Sequence, residues 1–203
     1  MGGGAAWVLG VTGASGALFA RRLLELLDLS REVDAVHLVV SRNARKVIRE
    51  ELGTDLGVEG AFPAELFLGR RPGKVRVHEP EAMEAPVSSG SFPVRGMVVL
   101  PCSMGTLAGI VAGTSQNLVQ RAAEVQLKEG RPLVLCFREA PLSRVHLRNL
   151  CAAGEAGAVV MPLAPPYYLR PRTVEEMVDG FCARVLHTIG IEHPEGTERR
   201  YRA

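Results

Sequence analysis

The chain has 203 residues, 24 Lys plus Arg against 22 Asp plus Glu, and 47% hydrophobic residues. That length suits one domain over residues 1–203 that buries its own core, and the near-balance of charge excludes a protein that holds nucleic acid through a broad basic surface. No apolar run approaches the ~20 residues of a membrane span, and the opening Met1-Gly-Gly-Gly-Ala-Ala lacks the basic-then-apolar order of a secretory leader.

Along the chain, apolar segments alternate with amphipathic ones. Trp7–Val11 reads as a buried strand and runs into Thr12-Gly13-Ala14-Ser15-Gly16, after which apolar and basic residues mix at helical spacing from Leu18 to Leu27. Ala35–Val40 is a second strand, and Ser41 is placed to N-cap a helix through Ala44, Val47 and Ile48. Residues 53–93 are irregular, with a brief strand at Val75–Val77 and a turn-prone Ser88-Ser89-Gly90-Ser91. Gly96–Leu100 is a strand ended by Pro101, followed by helices at Met104–Ala112 and Asn117–Lys128. Strand Leu133–Phe137, helix Ser143–Ala152 and strand Ala158–Met161 come next. The last helix starts at a capping box of Thr173 and Glu176, carries an apolar stripe of Val174, Met177, Val178, Phe181 and Val185, and ends near Gly190 in a left-handed position. Uniformly apolar strands alternating with helices predict an α/β fold, a doubly wound parallel sheet of flavodoxin-like or Rossmann-like type with helices on both faces. In such sheets ligands bind at the carboxyl ends of the strands.

Those ends carry the candidate residues. Gly13-Ala14-Ser15-Gly16 offers a tight turn, a hydroxyl and a helix N-terminus, the ingredients of a phosphate site; a plain strand-to-helix turn needs the same glycines. The spacing of Gly10, Gly13 and Gly16 also keeps a nicotinamide reductase open, although Ser41 and Arg42 stand where an acid would hold the adenosine ribose. Ser103 and Thr106 bracket a second turn that binds an anion or simply caps a helix. Arg138 and Glu139 sit directly after a strand, where two charges either pair or meet a ligand. Tyr167 and Tyr168 occupy a proline-stiffened loop. Arg121 and Lys128, seven residues apart, share one helical face with Glu124 between them, and Arg184 flanks the apolar stripe of the last helix. Singly each cation reads as structural; together they could serve one phosphate monoester without a metal. Four cysteines lie outside any CxxC pair, three of them in apolar stretches, which reads as reduced thiols of a cytoplasmic protein. The five histidines form no HxxxH or HExxH motif, so no zinc site is expected.

The stretches GVTGASGALFARRLL (Gly10–Leu24), SRNARKVI (Ser41–Ile48), SSGSFPVRGMVVLPCSMGTLAGI (Ser88–Ile110) and NLVQRAAEVQLKEGRPLVLCFREAPL (Asn117–Leu142), with the closing PPYYLRP to RVLHTIGI, resemble the UbiX-type flavin prenyltransferases, formerly described as aromatic-acid decarboxylases. The resemblance implies a metal-independent prenyltransferase that joins the dimethylallyl group of dimethylallyl monophosphate to reduced FMN, giving prenylated FMN for UbiD-type decarboxylases. It implies a homo-oligomer, a dodecamer with sites at subunit interfaces. It assigns Gly13, Ala14, Ser15, Ser41, Ser103, Met104, Gly105, Thr106 and Arg138 to FMN, and Arg121, Lys128, Tyr168 and Arg184 to the prenyl phosphate. Ser15, Glu51 and Glu139 become the catalytic set; Glu51 follows from counting ten residues past Ser41, with Glu50 as its neighbour. Departures from the family pattern are Gln116, Glu124 and Tyr167, and Tyr201 is the aromatic nearest a usual Trp. A flavin-dependent cysteine decarboxylase shares the expected fold, but its PxMNxxMW segment and its His beside the first helix are missing. A non-catalytic FMN-binding protein is the remaining alternative.

Overall fold

The computed structural model describes residues 5–57 and 60–196. Six parallel strands form one sheet, β1 (Ala6–Val11), β2 (Ala35–Val40), β3 (Val75–His78), β4 (Gly96–Cys102), β5 (Leu133–Phe137) and β6 (Val159–Pro162), in the order β3-β2-β1-β4-β5-β6. The helices are α1 (Ala17–Leu29), α2 (Arg42–Leu52), α3 (Ala64–Leu68), α4 (Met104–Ala112), α5 (Leu118–Lys128), α6 (Arg144–Glu155) and α7 (Val174–Thr188). The chain leaves β1 towards one side and later returns to β4 on the other, so the crevice of a doubly wound sheet opens between these two strands.

Strand alternation builds the layers. Leu9, Val11, Val36, Leu38, Val40, Val98 and Leu100 point to the face covered by α1, α2 and α7. Val8, Val39, Met97, Val99, Leu133 and Leu135 point to the face covered by α4, α5 and α6. Helix α1 seals the first layer with Leu23, Leu24, Leu26 and Leu27, all fully buried, each contributing about 1.5–3 kcal/mol relative to exposure. The central strands β1, β2 and β4 are buried on both faces and apolar except for His37, whereas the edges β3 and β6 are only partly covered.

Several local expectations need correction. Strand β4 does not stop at Pro101 but continues to Cys102, with an irregular register between Val99 and Cys102. Helix α3 arises inside the irregular region and buries Phe67; its five residues are too short to show a period. In α7 the Thr173 hydroxyl accepts from the Glu176 amide, but the Glu176 carboxylate accepts from the amide of Arg172 and not of Thr173, so the box is displaced by one residue. Val174 is 53% exposed and falls outside the buried stripe of Val178, Phe181 and Val185. Gly190 does adopt a left-handed φ of 74°.

Between β2 and β3, buried His37 and its neighbour His78 stack at 5.1 Å, with Nδ1 of one 2.8 Å from Nε2 of the other. Phe92 meets His37 edge-on and so fastens residues 79–95 to the sheet. Pro80 in that segment accepts from the Leu118 amide, which sets the N-terminus of α5 at the carboxyl edge of the sheet.

Candidate functional site at the carboxyl edge of the sheet

The turn after β1 is held by its own backbone and by its neighbours. Thr12, buried, donates its hydroxyl to Pro101 O at 2.8 Å and accepts from the Ser103 amide at 2.7 Å. One side chain therefore locks the β1 turn to the β4 turn across the crevice. A Cβ on Gly13 would lie 2.7 Å from Cβ of Asn43, so glycine is needed where the turn passes the first turn of α2. Gly16 takes φ 132°, open mainly to glycine, to launch α1. No side chain of this turn caps α1. Instead Glu51, from the last turn of α2, accepts from the Gly16 amide at 3.0 and 3.1 Å and from the Ala17 amide at 2.7 Å. A carboxylate is favoured there by the unpaired amides and by the positive end of the helix dipole. Of the two adjacent acids the structure brings Glu51 to this turn, while Glu50 lies exposed 3.9 Å from Arg49.

Ser41 caps α2, its hydroxyl accepting from the Ala44 amide at 3.2 Å, and its own amide bonds Val11 O at 2.9 Å. Arg42 beside it turns away to Glu81, 2.8 Å distant. Ser103 caps α4 through the Thr106 amide at 3.3 Å and donates to the Thr106 hydroxyl at 3.0 Å. The side chain of Met104 is buried in the core, so its contribution to a ligand is limited to backbone; Gly105 is exposed with open space beside it. Arg138 is exposed and Glu139 half-buried; they do not pair with each other among the described residues, and Glu139 accepts only from the Ala140 amide at 3.1 Å. The loop after β6 closes on the same edge, with Leu163 packed against the Gly16 position and bonded to Phe137 O. Ser15, Ser41, Glu51, the Ser103–Thr106 turn, Arg138 and Glu139 thus stand at neighbouring strand ends.

This donor set fits a phosphorylated polyol attached to a planar ring. Hydroxyls stand at three successive turns, an exposed guanidinium lies beyond the fourth, and Gly105 leaves its backbone approachable. Two contributors escaped the sequence reading. Thr12 was legible only as a hydroxyl following a strand, and Leu163 only as an apolar residue among prolines.

The four residues matched to the prenyl phosphate are not brought together within one protomer. Arg121 and Lys128 belong to α5, on the face of the sheet opposite α7. Arg121 donates to Ser88 O at 3.2 Å and pairs with Glu124 at 3.4 Å, while Lys128, a further two turns towards the amino edge, pairs with Glu129. Glu124 therefore serves Arg121 and not Lys128. Tyr168 is 61% exposed on a short helical turn whose neighbour Leu169 packs on Gly180 of α7, and Arg184 is exposed further along that helix. Tyr201 lies outside the described residues.

Asp179, His193 and Glu195 gather their ligand atoms within 4.8 Å, as a metal site would. Their charge is met by Arg22, 2.8 Å from Asp179 and 2.6 Å from Glu195.

No helix of the described residues is long and apolar enough to cross a membrane. The flavoprotein family model matches residues 2–183. A flavin prenyltransferase UbiX of Alkalihalophilus pseudofirmus is 40% identical over 185 residues, 91% of each chain. Among solved structures, AnUbiX (PadA1) in complex with FMN and dimethylallyl pyrophosphate is 36% identical with a TM-score of 0.84, covering 99% of this chain and all of that one. A dodecameric FMN-dependent UbiX-like decarboxylase of Escherichia coli O157:H7 is 41% identical with the same TM-score of 0.84, covering 98% of this chain and 100% of that one. With its carboxyl-edge turns in place and this similarity running along almost the whole sequence, the chain belongs to the flavoprotein family and, within it, to the UbiX flavin prenyltransferases.

Proposed function

We propose that the protein transfers the dimethylallyl group of dimethylallyl monophosphate to reduced FMN, releasing phosphate and forming prenylated FMN for a UbiD-type decarboxylase. The observation that carries this reading is the similarity, over nearly all of both chains, to a structure holding FMN and a dimethylallyl donor. It is supported by the hydroxyl-lined, cation-flanked strand ends described above. We read residues 1–203 as one domain working in the cytoplasm, a setting that suits the four free cysteines.

Ser41, Ser103 and Thr106 have hydroxyls, and Gly13, Ala14, Met104 and Gly105 have backbone, to hold FMN, with Arg138 as the matching cation. When bound, reduced FMN supplies the electron-rich ring that accepts the allyl group. Breaking the allylic C–O bond sends its electron pair to the phosphate, so the chain must stabilise that departing charge. Arg121, Lys128 and Arg184 supply positive charge and Tyr168 a neutral donor, each typically ~2–4 kcal/mol of transition-state stabilisation in a water-poor site. Glu139, half-buried beside that edge, is placed to give a proton to the leaving phosphate and take one back afterwards. Glu51 holds the Gly16 and Ala17 amides and thereby fixes the turn that carries Ser15, whose hydroxyl would face the flavin when it is bound. The transfer requires water to be excluded, since water would otherwise capture the allyl fragment as an alcohol.

Because one protomer separates Arg121 and Lys128 from Tyr168 and Arg184, this function requires the two pairs to come from different chains of an oligomer, in keeping with the dodecameric relative. The test is mass spectrometry of the flavin after incubation of the protein with FMN, a reductant and dimethylallyl monophosphate. The flavin is expected to gain the mass of one dimethylallyl unit; recovery of FMN alone, at its original mass, overturns the proposal.

A further inference from the structure

The guanidinium of Arg121 is engaged on one side only. Its Nε donates to Ser88 O at 3.2 Å and its Nη1 to Oε2 of Glu124 at 3.4 Å, while Nη2 makes no hydrogen bond among the described residues. Two anchors thus set the plane of the group and leave its Nη1–Nη2 edge open. That edge presents two parallel N–H donors, the fork with which an arginine grips phosphate oxygens. Arg121 and Glu124 are both half-buried, so the edge is neither sealed in the core nor free in solvent.

Each anchor is itself fastened. Ser88 belongs to a loop whose Gly90 and Phe92 carbonyls accept from Arg131 at 2.7 and 3.1 Å, and whose Phe92 ring meets buried His37. Oε2 of Glu124 accepts a second bond, from the Ser115 hydroxyl. Ser115 takes φ 45°, a left-handed conformation that is costly for a residue with a side chain and persists only where its surroundings impose it. Buried Gln120 imposes it here: its Oε1 accepts from the Gln116 amide at 2.9 Å and from the Thr114 hydroxyl at 3.0 Å. Gly109 leaves room for that side chain, since a Cβ there would collide with the Gln120 amide. A line of contacts therefore runs from buried Gln120, through a strained turn and one carboxylate, to Arg121.

We propose that Glu124, held by Ser115, is a positioning residue for prenyl transfer: it aims the open edge of Arg121 at the oxygens of the departing phosphate. This rests on the assignment of Arg121 to the prenyl phosphate made above. A carboxylate near a phosphate ester opposes binding through like-charge repulsion. Its benefit lies in orientation, because displacing an aligned group by about 1 Å costs on the order of 10²-fold in rate. Glu124 itself touches neither substrate nor flavin and acts only through Arg121.

The test measures kcat and KM for dimethylallyl monophosphate in the assembled protein with reduced FMN. Glu124→Ala is expected to lower kcat by about 10–10²-fold without raising KM, since the lost charge repelled the substrate. Glu124→Gln keeps an acceptor oxygen at the same reach and is expected to bring kcat back to within about threefold of wild type. Ser115→Gly keeps the left-handed backbone without the hydroxyl and is expected to lower kcat by less than Glu124→Ala does. In an Arg121→Ala background, Glu124→Ala is expected to cause no further loss. A loss in that background equal to the loss in wild type, a rise in KM at unchanged kcat, or no rescue by glutamine overturns the proposal. If the wild-type protein returns FMN at its original mass, the functional reading fails, and crystals of the variants then decide the positioning. The Arg121 guanidinium is expected to keep its place in Glu124→Gln and to leave it in Glu124→Ala; a guanidinium unmoved in Glu124→Ala overturns the proposal.

Discussion

The residues we assign to the flavin and those we assign to the prenyl phosphate are organised in opposite ways. At the carboxyl edge, Thr12 ties two turns together, Ser41 and Ser103 cap the next helices, and Glu51 crosses from α2 to hold the start of α1. Every one of these contacts is made within a single chain. Arg121, Lys128, Tyr168 and Arg184 instead lie on two faces of the sheet, and the tyrosine and Arg184 project outward. One set of residues is thus joined by direct contacts within the chain, and the other is divided between α5 and the α7 side of the sheet. Under the proposed function, the flavin residues need only one chain, whereas the phosphate residues need the oligomer to meet.

The sharpest challenge to this division is Glu139→Gln. It removes the proton carrier from the self-contained half, and prenyl transfer is expected to fall by about 10²–10⁴, while FMN binding, followed by flavin fluorescence, persists. Loss of flavin together with activity would assign Glu139 to holding the flavin instead. Next come Arg121→Ala and Arg184→Ala, each expected to slow transfer by about 10²–10³. Mixed and reassembled in equal amounts, the two inactive variants should recover roughly a quarter of the wild-type rate, the chance that both contributing chains carry intact groups. No recovery in properly assembled mixtures would mean that the two arginines act in the same chain and would break the comparison.

A smaller effect is expected for Glu51→Ala. Stripping the carboxylate from the Gly16 and Ala17 amides should cost about 1–3 kcal/mol, or roughly 2–4 °C per kcal/mol for a chain of this size, read in a thermal melt. Glu50→Ala, lacking those bonds, serves as the matched control and should leave the melt unchanged. The gentlest perturbation concerns His37, whose imidazole is held down to about 4 first by burial and then by His78 and Arg76. The folded state then takes up a proton less readily than the unfolded chain, whose histidine titrates near 6.5. Stability is therefore full above pH 6.5 and declines as the pH falls from there towards about 4. Urea midpoints measured across that interval should slope in the wild type and slope less in His37→Phe, the remainder coming from His78, which burial and Arg76 also hold below its ordinary value.

Much of the frame was readable from residue order. The runs at Ala35–Val40, interrupted only by His37, and Leu133–Phe137 are the strands β2 and β5 to the residue, because strands buried on both faces carry nearly continuous apolar sequence. Helix α3 was hidden because five residues among glycines and prolines show no period. The seven-residue spacing of Arg121 and Lys128 shows their common angle on α5 but not which face of the sheet that helix covers, nor that Arg121 is engaged by Ser88 and Glu124. Exposure of Val174 likewise follows from the position of the α7 start against α1, a tertiary fact invisible to a helical wheel.

Glu51 carries one more consequence. The strand order is that of dinucleotide-binding enzymes, whose pyrophosphate rests on the amides opening the first helix. Here that berth is filled by the protein's own carboxylate, at 2.7 Å from the Ala17 amide. A bulky diphosphate arriving there would meet like charge and spent donors. The acid that takes this berth comes from α2, the neighbouring helix.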